Sequence, residues 1–82
     1  MPTILRLLGF RFFFYSDEGT EPPHVHVEKG GSRGKVWLDP VEEDDLSRFK
    51  AKERRKALDI IKDNQENFKN FWNDYFGQDE NE

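Results

Sequence analysis

The chain of 82 residues contains no cysteine, which excludes disulfide bonds and thiolate metal sites. Its longest apolar runs, residues 4–8 and 10–15, are far below the roughly 20 residues that a membrane-spanning helix needs. The first residues also lack the ordered regions of a signal peptide. These absences predict a cytoplasmic protein with no membrane contact. A domain this small is near the lower limit of stability, so a small protein partner or a second copy is expected.

Excess positive charge is also absent, because the net charge is −4. This value excludes a globally basic nucleic-acid binder. We expect residues 1–78 to form a single domain and residues 79–82 a disordered acidic tail. The basic stretch at residues 48–56 leaves contact with nucleic acid open. The acidic residues 42–45 precede that stretch, and we expect them to neutralise it.

Hydrophobic residues make up only 34% of the chain, yet 15% is aromatic, so the core must depend on large rings. Two strands, residues 4–8 and 10–16, are predicted to form a hairpin around Gly9. After a loop, strands at 24–29 and 35–39 are predicted to form a second hairpin around a glycine-rich turn, residues 30–34.

Residues 51–76 have apolar side chains at helical spacing. A single helix of that length would overhang the sheet or break, and a break would fall in the polar run at 62–67. Gly77 is the natural stop signal at its C-terminal end. The predicted fold is therefore α+β: a four-stranded, largely antiparallel sheet of two hairpins, with a C-terminal helix packed on one face.

Strand pairing decides which side chains share a face. We expect Glu28 to lie opposite Lys35, which places His24 opposite Asp39. One face is then aliphatic and covered by the helix. The other face exposes an aromatic patch, which we predict binds a partner and which consists of Phe13, Tyr15 and Trp37.

His24 and His26 lie two residues apart on one strand, so their side chains leave the same face with Cα atoms about 6.5–7 Å apart. This pair is equally consistent with the solvent side of an ordinary alternating strand. Two imidazoles can also act as acid and base in phosphodiester cleavage, with Asp39 orienting His24 and with Arg11 or Arg33 at the phosphate.

A metal site would need a third ligand beside the two histidines, and Asp39 is the candidate. This set is weak for a metal, and no cofactor is predicted.

Five stretches carry a resemblance to a known family: Met1-Pro2-Thr3-Ile4, Arg11-Phe12-Phe13-Phe14-Tyr15-Ser16, Glu21-Pro22-Pro23-His24-Val25-His26-Val27, Val36-Trp37-Leu38-Asp39-Pro40-Val41 and Trp72-Asn73-Asp74-Tyr75-Phe76. Over nearly its whole length the chain resembles the short bacterial proteins grouped as domain of unknown function 4160. Members are often encoded beside another small protein in settings that look like toxin–antitoxin pairs. The resemblance therefore implies a protein partner.

The chain departs from that family where Gly-Phe-Ser tends to precede the helix. Here the sequence is Arg48-Phe49-Lys50, which loses a capping serine and adds charge.

The predicted function is a partner-binding component of a toxin–antitoxin-like two-gene module. Two alternatives are a metal-independent ribonuclease that uses His24 and His26, and a metal-binding regulator.

Overall fold

The computed structural model describes residues 3–16 and 19–77, and within them it contains five strands and two helices. Their bounds are β1 Thr3–Leu7, β2 Phe10–Phe13, β3 His24–Lys29, β4 Ser32–Leu38, β5 Val41–Asp45, α1 Ala51–Asp63 and α2 Gln65–Phe76. The strands form one antiparallel sheet in the order β1-β2-β3-β4-β5. The acidic tail predicted at residues 79–82 lies outside the described residues.

The first hairpin turns at Leu8 and Gly9, as predicted, because Leu7 pairs with Phe10. Both turn residues have positive φ, 53° for Leu8 and 85° for Gly9. Two-residue turns of this kind match the right-handed twist of the strands they connect. Glycine adopts such a backbone readily, whereas leucine does so only at a cost.

The second hairpin turns at Gly30 and Gly31 rather than over five residues, and β4 begins at Ser32. The predicted register is therefore wrong by two residues: His24 lies opposite Trp37, and Asp39 lies beyond the pairing. A shift of two residues keeps every side chain on its face. The predicted division of this hairpin into an aliphatic face and a histidine face is consequently confirmed.

The prediction of four strands is wrong, because residues 41–45 form a fifth strand after the turn at Asp39 and Pro40. Four consecutive carboxylates are unfavourable in strands on average, so no strand was predicted there. It lies at the edge of the sheet, where charged side chains are tolerated and discourage pairing with other chains. The α+β class itself holds.

The prediction of one C-terminal helix is also wrong, because the helix is interrupted at Asn64, inside the polar run. The Asn64 side chain donates from Nδ2 to the Ile60 carbonyl oxygen at 2.9 Å. Gln65 Nε2 donates to the Leu38 carbonyl oxygen at 2.6 Å, which fixes the start of α2 to the sheet. The interruption keeps both short helices on the sheet instead of letting one long helix overhang it.

Both helices pack on one face of the sheet and enclose the core between them. Rings from the two layers meet there: Phe12 lies 5.6 Å from Phe68, and Phe14 lies 5.2 Å from Trp72. The aliphatic contributions come from Val25, Val27, Val36, Leu38, Leu46, Ile60 and Ile61. Neither helix is long and apolar enough to cross a membrane.

Candidate functional site on the open face of the sheet

The face opposite the helices carries a group of rings in mutual contact, mostly edge to face, which we call the ring cluster: Phe13, Tyr15, His24, His26 and Trp37. The imidazoles of His24 and His26 are 5.3 Å apart and nearly perpendicular. His26 also stacks on Phe13 at 5.5 Å and contacts Tyr15 at 4.5 Å. The register of β2, β3 and β4 brings these side chains together.

His24 is completely buried, with 0% of its surface exposed. Its Nδ1 lies 2.9 Å from the Pro22 carbonyl oxygen, and because a carbonyl can only accept, Nδ1–H is the donor. The ring also contacts Trp37 at 5.3 Å and Trp72 of α2 at 4.8 Å. His24 therefore joins the open face to the helical layer.

Phe13 is equally buried, so the expectation that its ring is exposed is wrong. The guanidinium of Arg11 lies 4.3 Å from the centre of the Phe13 ring, and that of Arg33 lies 5.7 Å from it. Cations over an aromatic face are attracted by its negative charge distribution. Tyr15 and Trp37 remain partly exposed, as does His26. The accessible part of the ring cluster therefore consists of these three side chains.

Ion pairs surround the ring cluster. Arg11 pairs with Glu28, whose other carboxylate oxygen lies 3.4 Å from Arg33. Arg33 also donates to the Tyr15 hydroxyl at 3.0 Å. On the other side Lys35 pairs with Glu21 at 2.9 Å. These contacts hold the partly exposed rings within a fixed polar rim.

Of the residues predicted for catalysis, the structure gathers His24, His26 and Arg11 on one face but not Asp39. Asp39 is largely exposed and pairs with Lys69 at 3.5 Å. The carboxylate beside the histidines is Glu21, 3.7 Å from His24 Nδ1. Glu21 was not predicted because it lies in a loop, three residues before His24. Strand alternation assigns no face to a loop residue.

The position of Asp39 away from the histidines also affects the predicted metal site. Over residues 3–16 and 19–77, no three His, Asp or Glu side chains are grouped as a metal site would require. The proposed third ligand, Asp39, points instead to the helical layer through Lys69.

The five-stranded antiparallel sheet, with two helices on one face and the ring cluster on the other, defines a small α+β protein with one open sheet face. The family described as Domain of unknown function (DUF4160) matches residues 9–73, so the chain belongs to that family. The matched range includes the whole ring cluster and Trp72. Comparison with curated proteins and with solved structures gave no match.

Proposed function

We propose that this protein is the partner-binding component of a toxin–antitoxin-like two-gene module, and that a small protein docks on the open face of the sheet. The observation that carries the proposal is the set of partly exposed rings, Tyr15, His26 and Trp37, inside a rim of ion pairs. Protein interfaces commonly have an aromatic centre and a polar rim. The family resemblance supports a partner encoded beside this chain.

Charge on this face favours a protein over a nucleic acid. Each cation at the ring cluster already has a carboxylate within ion-pair distance: Arg11 and Arg33 share Glu28, and Lys35 has Glu21. Binding to a phosphate backbone depends on cations that are available to replace counterions. Three cations against two carboxylates leave a formal excess of only one positive charge at the ring cluster, so this attraction is weak there.

Trp37 is the proposed anchor because its indole is already held in one orientation. Nε1 donates to Asp44 Oδ1 at 3.3 Å, and Lys35 Nζ lies 4.4 Å from the ring centre. A side chain that is ordered before binding loses less entropy on association. Beside it lies a depression of about 250 Å³, which can receive a partner's side chain and is lined by Pro22, Pro23, Trp37, Asp39, Pro40 and Glu42.

The test is co-purification of the tagged protein from its native host, with Trp37→Ala compared against Phe71→Ala. Phe71 is a matched control because it is an aromatic residue, 47% exposed, on α2 rather than on the open face. Truncating an aromatic anchor typically costs about 2 kcal/mol, or about thirtyfold in affinity. Trp37→Ala should therefore lose the partner while Phe71→Ala retains it. Retention by both variants would contradict docking on this face, and a self-associating wild type would identify the partner as a second copy.

A metal-independent ribonuclease is the second candidate, and the 5.3 Å separation of the two imidazoles is the observation in its favour. A general acid or base must reach the proton that it transfers, whereas His24 is fully buried. RNA cleavage by the purified protein in a chelator, lost in both His24→Ala and His26→Ala, would support this function. Cleavage that persists in both variants would reject it.

A further inference from the structure

A second surface lies at the tip of the first hairpin, where the sheet meets the start of α1. It is a cleft of about 400 Å³, which we call the hairpin cleft and which is lined by Leu8, Phe10, Lys29, Lys52, Glu53 and Lys56. Lys29 crosses from β3 towards the tip, with Nζ 3.4 Å from the Leu8 carbonyl oxygen and 5.1 Å from the Phe10 ring centre. Lys29, Lys52 and Lys56 therefore line one shallow, partly apolar depression.

The positive charge of this cleft is not balanced by the rest of the described chain. Between residues 3–16 and 19–77, no ion pair involves Lys29, Lys52 or Lys56. The one acidic side chain in the cleft is Glu53, whose Oε1 accepts from the Lys50 backbone N–H at 3.3 Å. Three cations against one carboxylate leave a formal excess of two positive charges.

The acidic strand β5 neutralises part of the basic stretch, as expected, but it forms no ion pair with the lysines of the hairpin cleft among the described residues. Its only ion pair with the basic stretch, within the described residues, joins Glu43 to Arg54 at 3.5 Å. Lys52 lies in the first turn of α1, where the helix dipole disfavours cations. The folded chain thus holds Lys52 at a location that disfavours its charge.

Leu8 adds a backbone cost at the same place. Its φ of 53° lies in the left-handed region, and its side chain is 61% exposed, so little burial offsets the unfavourable conformation. Unfavourable backbone conformations of this kind concentrate at functional sites. Unbalanced charge and a strained, exposed leucine therefore coincide at one cleft.

We propose that the hairpin cleft binds a phosphate monoester attached to a flat apolar body, which is the chemistry of a nucleoside monophosphate. A phosphate monoester carries about −1.5 to −2 charges at neutral pH, which matches the excess of two, whereas a single carboxylate does not. Lysine binds phosphate as a point charge, and the exposed side chain of Leu8 provides apolar contact for the base. The cleft volume lies in the usual range for small-molecule sites, about 300–1,000 Å³.

The same chemistry has two sources, a free nucleotide or the 5′-phosphorylated end of a nucleic acid. The ¹⁵N-labelled protein is titrated with adenosine 5′-monophosphate, adenosine, and an oligonucleotide with and without a 5′-phosphate. Saturable amide shifts at Gly9, Lys29 and Lys52 are expected for phosphorylated ligands only, and added salt should weaken them. A response to the mononucleotide identifies a free nucleotide, and a response to the phosphorylated oligonucleotide alone identifies a nucleic-acid end. No response to either, or equal responses to adenosine and its monophosphate, would overturn the proposal.

A charge variant tests the location of binding. Lys52→Gln combined with Lys56→Gln removes two cations from the cleft, and the loss should weaken binding about fivefold or more. Lys62→Gln is the matched control, since Lys62 is exposed in the last turn of the same helix and does not line this cleft. Equal affinity in the double variant and the control would reject the cleft as the site. This outcome is independent of partner docking on the open face, which none of these residues forms.

Discussion

The ring of His24 lies 4.8 Å from the ring of Trp72, so a histidine at the start of β3 is packed against the second helix. Its Nδ1–H donates to the Pro22 carbonyl oxygen, which satisfies one of the two ring nitrogens that burial would otherwise penalise. His26, two residues later, is only partly buried among Phe13 and Tyr15. The two histidines therefore have different roles: the first stabilises the fold and the second presents a ring at the surface.

This difference predicts unequal effects on stability. His24→Ala removes a fully buried ring and its hydrogen bond, and should lower the free energy of unfolding by about 2–4 kcal/mol. His26→Ala should cost about 1 kcal/mol or less, because part of the ring is already in water. Urea unfolding of the two variants measures both values. An equal decrease in the free energy of unfolding for both variants would show that the buried contacts of His24 stabilise the fold no more than those of His26.

Gly34 provides a test of packing beneath the sheet. A Cβ at Gly34 would lie 2.5 Å from Leu46 Cδ2 and 2.6 Å from the Asp45 carbonyl oxygen, and the latter is backbone that cannot easily move. Gly34→Ala should therefore destabilise the protein by about 1–3 kcal/mol. Gly31→Ala is the control, because nothing lies within 4 Å of the added methyl group. Thermal unfolding should show a clear loss for the first variant, and an unchanged midpoint would contradict the close approach.

The features that sequence predicted correctly are local ones. Gly9 between two apolar strands identified the first hairpin turn, and alternation in the histidine strand assigned His24 and His26 to one face. The polar run at 62–67 marked the place where the helix is interrupted. Each of these depends on residues close together in the chain.

The features that sequence missed depend on distant contacts. Gly34 resembled a turn residue, yet it is a strand residue whose missing side chain makes room for Leu46. The carboxylates of β5 are stable in a strand only because β4 supplies a neighbour on one side and water covers the other. Phe13 was expected to be exposed because part of its cover, His26 and Arg33, comes from the neighbouring strands β3 and β4.

Replacing Leu8 should raise the stability of the protein and weaken ligand binding in the hairpin cleft. Asparagine tolerates the left-handed backbone better than leucine and is favoured before glycine in two-residue hairpin turns. Leu8→Asn should therefore raise the free energy of unfolding by about 1 kcal/mol while weakening mononucleotide binding in the hairpin cleft. Urea unfolding and the amide titration measure the two effects separately. A variant that gains stability and keeps full affinity would exclude Leu8 from the ligand contact.

Asp45 provides the pH prediction, because Ser47 holds the pKa of its carboxyl below the usual value. The Ser47 backbone N–H donates to Asp45 Oδ1 at 3.1 Å and the hydroxyl donates to the same oxygen at 2.8 Å, while the positive charge of Arg48 contributes less. Hydrogen bonds to a carboxylate favour its charged form. Ser47→Ala removes the hydroxyl but keeps the N–H, so the Asp45 pKa should rise without reaching its unfolded value.

The sign of the stability effect follows from this lowered pKa. The contribution of the charged Asp45 carboxylate to the free energy of unfolding is fully present above the pKa that Asp45 has in the unfolded chain. It is lost as the pH falls through the lower pKa of the folded protein. Ser47→Ala should therefore lose a small part of its stability relative to the native protein at neutral pH, and the difference should shrink in acid. Carboxyl ¹³C titration measures the pKa directly. Ser32→Ala is the control, because the Ser32 hydroxyl donates to the Arg48 carbonyl oxygen and not to Asp45. An Asp45 pKa that moves equally in both variants would show that the Ser47 hydroxyl does not lower it.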